Sequence, residues 1–161
     1  MNGGLYDADD NLVTDWATLV NTYSMDVEKD YTSSTYETDT MSPYYVLTNN
    51  PELSAGVKIK ISDTITSIGS RAFYRCSGLM SLNLGSGVTS IGMDAFASCS
   101  GLTSITILSI EPPTLGSSAL TGTSALTAIY VPDESVEAYK VADGWSDYAD
   151  LIKPISEKPA E

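Results

Sequence analysis

The sequence predicts an α/β fold, a short right-handed solenoid whose parallel strands stack coil upon coil between two acidic ends. Three observations predict it: the segment 65–87 recurs as 88–110, each copy contains a strand-like alternation of apolar residues, and the negative charge is concentrated at the two ends. Right-handed turns are expected because crossovers between parallel strands almost always have that hand. The predicted parts are an N-terminal cap (1–55), the coils (56–131) and a helical C-terminal cap (132–161), folded as one unit.

The two clearest copies of the repeat align without gaps and are identical at 12 of 23 positions. Weaker copies flank them, the upstream one at the same spacing and the downstream one at a spacing that is longer by a single residue. Pro112 and Pro113 lie near the extra residue and predict an irregular turn there. Equivalent residues of successive coils should lie on top of one another. The predicted stacks are Phe73 with Phe96, Cys76 with Cys99, and Leu79 with Leu102 and Leu126.

Each unit contains the pattern L-x-x-[LI]-x-[LI], in which alternate residues of a strand face the interior. A unit of roughly 20–29 residues with this stretch is a leucine-rich repeat coil. One coil cannot bury its apolar side alone, so coils must stack, with neighbouring strands about 4.8 Å apart. We count two full coils, a half coil before them and a degenerate coil after them. Gly69 and Gly92 recur with the coil, and we expect them to allow its turns.

The repeated phrase T-S-I-G-x-x-A-F-x-x-C-S-G-L-x-S-[LI]-x-[LI] resembles the BspA-like leucine-rich repeats, which are abundant in gut and oral bacteria. The resemblance covers residues 57–131, and the segments before and after them look like the leader and end unit of such arrays. It implies a solenoid, and known members are often surface-exposed, with several implicated in adhesion. The array here is short, and neither an export signal nor a wall anchor is visible in the sequence.

The N-terminal cap is predicted to begin with a hairpin at residues 5–13, followed by a short helix that Thr14 or Asp15 caps. Its predicted apolar face consists of Trp16, Leu19, Val20 and Tyr23. The next stretch, 31–45, is rich in Ser, Thr and Tyr, and we interpret it as an irregular crossover that wraps the first coil. The alternative is an adaptable binding loop. Its contact residues would be Tyr31, Tyr36, Tyr44 and Tyr45.

The C-terminal cap is predicted to be a helix that begins at Pro132-Asp133, runs to about Ala142 and ends at Gly144. Trp145 and the apolar residues after it should provide further cover for the last coil. Both tryptophans of the chain lie in the end pieces, and we expect them to be buried.

Composition excludes several classes of site. The chain has no histidine and two cysteines, so it cannot hold a Ser-His-Asp or Cys-His nucleophile, a His-ligated metal or a four-thiolate zinc ion. We therefore expect no catalytic residues, no metal and no cofactor. A net charge of −13 argues against nucleic acid as a partner. No apolar run is long enough for membrane insertion, and the polar, acidic beginning shows no signal peptide.

The charge is divided unevenly, with −9 in residues 1–55, +2 in 56–110 and −6 in 111–161. Acidic ends should repel one another and prevent end-to-end stacking of molecules. An acidic docking surface for a basic partner is the alternative. Asp7, Asp9 and Asn11 resemble the start of a calcium loop but lack its glycine and closing glutamate, so a hairpin turn explains them better.

The two cysteines occupy one repeat position, and we expect them to be adjacent, reduced and structural. A disulfide between them stays open as an alternative.

The outward face of the strands is the predicted recognition surface, since solenoids present extended faces to their ligands. Two columns of outward residues follow from the alternation. They are Lys60, Asn83, Thr106 and Tyr130 in one column, and Lys58, Ser81, Ser104 and Ala128 in the other. Their hydroxyl, amide and amino groups suit a protein or a glycan, and a merely solvated face is the alternative.

The favoured function is a non-catalytic protein- or glycan-binding module that is surface-exposed and adhesive. The alternative is a structural, decoration or receptor-binding accessory protein of a phage that infects gut bacteria, assembled into a virion. The predicted location is correspondingly the cell surface, the extracellular space or a virion. An enzyme is the least favoured class, because no pair of carboxylates can be placed at a catalytic separation.

Overall fold

A computed structural model describes residues 3–159 and contains two sheets. The larger sheet has seven strands in the order β10-β9-β7-β5-β3-β1-β2. These strands are β1 (Gly4–Tyr6), β2 (Leu12–Asp15), β3 (Lys58–Lys60), β5 (Ser81–Leu84), β7 (Ser104–Ile107), β9 (Ala128–Val131) and β10 (Ile152–Pro154). The smaller sheet contains β4 (Ser67–Ile68), β6 (Ser90–Ile91) and β8 (Thr114–Leu115).

Short helices lie before, between and after the strands. The α-helices are α1 (Trp16–Asn21), α2 (Pro43–Asn49) and α3 (Val136–Val141). The 3-10 helices are Pro51–Leu53, Asp133–Ser135, Trp145–Leu151 and Ile155–Glu157. Because both sheets are mostly parallel and few residues are helical, the architecture is that of an α/β repeat solenoid.

The parallel strands pair in a nearly constant register. Lys58 lies beside Ser81, Ser81 beside Ser104, and Ser104 beside Ala128. The first two of these steps are equal in length, and the third contains a single extra residue. The step from β6 to β8 contains the same extra residue, since Ser90 pairs with Thr114. Both longer steps span the proline pair at 112 and 113.

Equivalent side chains of successive coils pack on one another in the core. The rings of Phe73 and Phe96 stack with their centroids 5.5 Å apart and their planes 21° apart. Leu79, Leu102 and Leu126 are buried at one repeat position. A single cluster of buried apolar side chains extends through the described residues from Leu5 to Ile152. Each coil therefore depends on its neighbours for burial of its apolar side.

The recurring glycines serve close backbone approach, which corrects the expectation that they allow turns. A Cβ on Gly92 would lie 2.5 Å from the backbone nitrogen of Ser70, and one on Gly116 would lie 2.5 Å from the carbonyl carbon of Gly92. Neither glycine has a positive φ. The left-handed positions of the two coil turns are instead occupied by Arg71 and Asp94, with φ of 57° and 56°, and by Arg75 and Ser98, both with φ of 61°.

The N-terminal segment adds two strands to one end of the larger sheet. Strands β1 and β2 form the predicted hairpin, and β1 also pairs antiparallel with β3. Asp15 caps the beginning of α1, where its carboxylate accepts a hydrogen bond of 2.8 Å from the backbone nitrogen of Thr18. Trp16 and Leu19 are buried, but Val20 is 41% exposed, because a helix of six residues turns only part of its surface to the core.

The stretch 31–45 contains structure that the sequence does not predict. It ends in α2, which Ser42 caps by accepting a hydrogen bond of 3.0 Å from the backbone nitrogen of Tyr45. Pro43 occupies the first helical turn, where a missing N–H costs nothing. Pro43 and Val46 are buried.

The C-terminal segment differs from the single helix that the sequence predicts. It begins as the 3-10 helix Asp133–Ser135, continues as α3, and has extended backbone at Ala142. Tyr139 donates a hydrogen bond of 2.7 Å to the carbonyl oxygen of Ser109, and Trp145 donates one of 2.8 Å to that of Pro113. These two bonds satisfy carbonyl groups of the irregular proline-containing turn. The chain then adds β10 parallel to β9 as a further strand.

Candidate binding surface

The two predicted columns of outward residues lie side by side in the sheet. Strand pairing aligns Lys60 with Asn83, Asn83 with Thr106, and Thr106 with Tyr130. The second column aligns in the same strands, and Tyr6 of β1 pairs with Lys58 at its beginning. The register therefore places both columns on one side of the sheet, opposite the buried leucines and isoleucines.

Exposure divides this side into an open part and a covered part. Thr106 is only 4% exposed and Tyr130 only 8% exposed, so neither is available as the sequence analysis expects. Neighbouring strands lie about 4.8 Å apart, so a tyrosine ring can cover a threonine in the adjacent strand. The hydroxyl of Thr106 has no hydrogen-bond partner among the described residues. Other residues on this side are partly accessible to solvent, and we call six of them the open strand face. They are Tyr6, Lys58, Lys60, Ser81, Asn83 and Ser104.

Two lysines give the open strand face its charge. The ammonium of Lys58 lies 2.9 Å from the carboxylate of Asp10 in the hairpin turn. The ammonium of Lys60 lies 4.8 Å from the centre of the Tyr6 ring, within range of a cation–π interaction. Within residues 3–159, Lys60 forms no ion pair with a carboxylate. Its positive charge is therefore available to an acidic group of a ligand.

A shallow cavity of about 310 Å³ lies where the first strands of the coils end. Its lining includes a hydrogen-bond donor, Lys60, and an acceptor, Asp63. The amide of Asn83 also lines it and can both donate and accept. Leu108, which is 42% exposed, adds an apolar side chain to its wall. This cavity continues the open strand face and enlarges its polar and apolar contact area.

Two of the four tyrosines predicted as contacts in the stretch 31–45 are buried, which favours a crossover that wraps the first coil over a binding loop. Tyr31 is buried, and its hydroxyl donates a hydrogen bond of 2.7 Å to the carbonyl oxygen of Asp26. Tyr36 is buried with its ring 5.2 Å from that of Tyr44 and 4.8 Å from that of Tyr74. Burial therefore removes Tyr31 and Tyr36 from the predicted loop contacts. Tyr44 and Tyr45 are half-buried.

The hairpin turn explains the aspartates that resemble a calcium loop. The Asp7 carboxylate accepts hydrogen bonds of 2.9 Å from the backbone nitrogens of Asp9 and Asn11. The bond from the Asn11 backbone is the main cause that lowers the pKa of Asp7. In the described part of the chain, no three His, Cys, Asp or Glu residues come together as metal ligands. The carboxylate of Asp7 thus stabilises the turn itself.

Cys76 and Cys99 are both buried, and both thiols are free. The Cys99 thiol donates a hydrogen bond of 3.1 Å to the carbonyl oxygen of Phe73 in the preceding coil. Burial raises the pKa of Cys99 to about 12 and raises that of Cys76 as well. Both residues are therefore neutral near pH 7 and pack as small apolar side chains.

We expect a chromogenic disulfide reagent to label neither thiol of the folded chain at pH 8, because only an accessible thiolate attacks it. Both thiols should react within seconds once the chain is unfolded in guanidinium chloride. Stopped-flow absorbance measures both rates. Rapid labelling of the folded chain at Cys76 or Cys99 would contradict the burial described here.

None of the helices in residues 3–159 is long and apolar enough to cross a membrane.

Comparison with known proteins identifies the family. The model of the BspA type leucine rich repeat region matches residues 52–142 in six copies, which is more than half of the chain. A search of curated proteins returned no match. Leucine-rich repeat domains are generally non-catalytic scaffolds that mediate protein interactions, and BspA-type proteins are often associated with surfaces. From the repeat, the parallel sheet and this match, the chain belongs to the BspA-type leucine-rich repeat family.

Proposed function

We propose that this chain is a non-catalytic protein-binding module and that the open strand face contacts the ligand. The observation that carries the proposal is the alignment of Lys60 and Asn83 beside a cavity, on a face where Lys60 has no acidic partner in the described residues. The face combines a tyrosine, two lysines, an asparagine and two serines. Such groups can hydrogen-bond to a protein ligand and pair with its carboxylates.

The charge distribution favours this surface over the ends of the molecule. The region 56–110 has a formal charge of +2, whereas the remainder of the chain is strongly acidic. A ligand with an acidic patch would be attracted to the strand face and repelled by both ends, which fixes its orientation on the sheet. We place this activity at a cell surface, where the module would serve adhesion.

The double substitution Lys60→Ala/Asn83→Ala should weaken binding by about 10- to 100-fold, because alanine at central contact residues typically costs about 1–3 kcal/mol. Ligands are first found on protein and glycan arrays probed with the intact chain, and their affinities are then measured by biolayer interferometry. Lys153→Ala is the control for loss of a charge elsewhere on the same side of the sheet, since Lys153 pairs with Tyr130 and lies beyond the covered part.

Unchanged affinity in the double variant would exclude the open strand face as the contact surface. An array on which only glycans bind would contradict the protein ligand, while leaving the surface itself to be tested with those glycans.

A further inference from the structure

A second cavity, lined by none of the residues of the open strand face, lies between α2 and the turn of the first full coil. Its volume is about 320 Å³. One wall is formed by Tyr44, Leu47 and Leu53, and the opposite wall by Arg75, Ser77 and Leu79. We call it the α2–coil cleft. Its volume is at the lower end of the range for small-molecule sites, roughly 300–1,000 Å³.

The first full coil departs from the repeat at two adjacent positions beside this cleft. Tyr74 and Arg75 stand where the next coil has Ala97 and Ser98. Packing explains the tyrosine, because its ring meets that of Tyr36 edge to face at 4.8 Å. The turn itself does not require the arginine, since a serine fits the same left-handed position with the same φ of 61°. The Arg75 side chain also hydrogen-bonds to the phenols of Tyr36 and Tyr74, which are neutral and leave its charge uncompensated.

Arg75 is held beside the cleft as an uncompensated cation. Its guanidinium carbon lies 5.5 Å from the centre of the Tyr74 ring. In residues 3–159 the ion pairs use Lys29, Lys58 and Arg71, and none involves Arg75. A guanidinium is charged at every physiological pH, and the neighbouring Tyr36 phenol raises the pKa of Arg75 further. Arg75 is exposed, so its charge is accessible to an anionic ligand in the cleft.

We propose that the α2–coil cleft binds a small carboxylic acid with an apolar body. The carboxylate pairs with the Arg75 guanidinium, whose planar fork matches two carboxylate oxygens. The apolar body lies mainly on the half-buried side chains of Tyr44 and Leu47, with the buried Leu53 and Leu79 beneath them. A single cation beside an apolar floor selects one negative charge on one end of the ligand, rather than a phosphate chain or a sugar polymer.

The cleft is a separate site from the open strand face. No residue lines both cavities, and none of the residues of the open strand face lines the cleft. A ligand in the cleft and a protein on the strand face are therefore independent proposals, and failure of one leaves the other standing.

The test titrates 3-phenylpropionate into the intact isotope-labelled chain and follows backbone amide shifts by nuclear magnetic resonance. We expect saturable shifts centred on Ser77 and Gly78, which line the cleft, and none at Asn83. The matched amide, 3-phenylpropanamide, should bind at least about tenfold more weakly, equivalent to about 1.4 kcal/mol. The absence of saturable shifts at 3-phenylpropionate concentrations up to about 10 mM would overturn the proposal, because even a ligand bound by about 2.7 kcal/mol half-saturates its site at that concentration.

Arg75→Gln should weaken 3-phenylpropionate binding by about tenfold or more and abolish its preference over the amide. Arg75→Lys keeps the charge without the fork and should retain part of that preference. Lys153→Gln is the control, because it removes one exposed positive charge outside the cleft. An Arg75→Gln chain with the wild-type amide spectrum and wild-type affinity would refute the role of Arg75, as would shifts centred on the strand face.

Discussion

Gly92→Ala is expected to lower the free energy of unfolding by about 3 kcal/mol or more, because overpacking against rigid backbone cannot relax through side-chain rotation. The new Cβ would lie 2.5 Å from the backbone nitrogen of Ser70 and 2.9 Å from the carbonyl carbon of Gly69. Relief requires two coils to move apart. That movement would break the parallel pairing of Ile68 with Ile91 in the smaller sheet.

Gly78→Ala is the matched control for this substitution. It is the same chemical change one coil earlier, but nothing lies within 4 Å of the new Cβ. Its φ is not positive, so we expect a change within about 1 kcal/mol, in the stabilising direction, from the reduced freedom of the unfolded chain. Urea denaturation followed by far-ultraviolet circular dichroism measures both. Equal stabilities of the two variants would show that the glycine column tolerates a side chain.

Phe96→Ala should cost about 3–5 kcal/mol, the usual range for truncating a fully buried phenylalanine. Phe96 stacks on Phe73 at 5.5 Å, and both rings lie in the core cluster, so the cavity cannot fill with solvent. Met93→Ala in the same coil is the control and should cost far less, because Met93 is 41% exposed. The free energies come from the same urea experiment.

The double variant Phe73→Ala/Phe96→Ala separates stacking from burial. If the rings interact directly, the sum of the two single losses in unfolding free energy should exceed the loss in the double variant by about 0.5–1.5 kcal/mol. Additivity of the two substitutions would mean that each ring is stabilised by its own surroundings and that the stack contributes nothing of its own.

The period of the repeat determines most of what the sequence can predict. A constant step from coil to coil, combined with the twofold alternation of a strand, fixes which side chains are neighbours. The pairing of Lys60 with Asn83 and of Asn83 with Thr106 therefore follows from counting. Exposure does not follow from counting, because it depends on the size of the neighbour, and the covered Thr106 beside Tyr130 illustrates the difference.

The end segments are harder to predict because they have no repeat to extrapolate. Helix α2 has a sequence of weak helical propensity, and its stability comes from the Ser42 cap and from burial of Pro43 and Val46. Strand β10 has three residues and forms because β9 offers unpaired backbone groups. The purpose of Gly92 is equally hidden, since a sequence cannot distinguish a left-handed turn from a close backbone approach.

The α2–coil cleft was visible in the sequence only as a departure from the repeat. Tyr74 and Arg75 replace the small residues of the next coil, and such a departure beside a terminal segment marks a position that the stack itself does not require. Its cavity depends on where α2 lies, and only the structure supplies that placement.

The constant register has an evolutionary consequence. Because Ser81 pairs with Ser104 through a step of one whole coil, an in-frame duplication of residues 88–110 would insert another strand without disturbing the first or last strand. Each duplication would lengthen the sheet by about 4.8 Å and add one outward position to each column. Unequal recombination within the gene can therefore change the reach of the molecule in uniform increments, while selection on both ends continues unaltered.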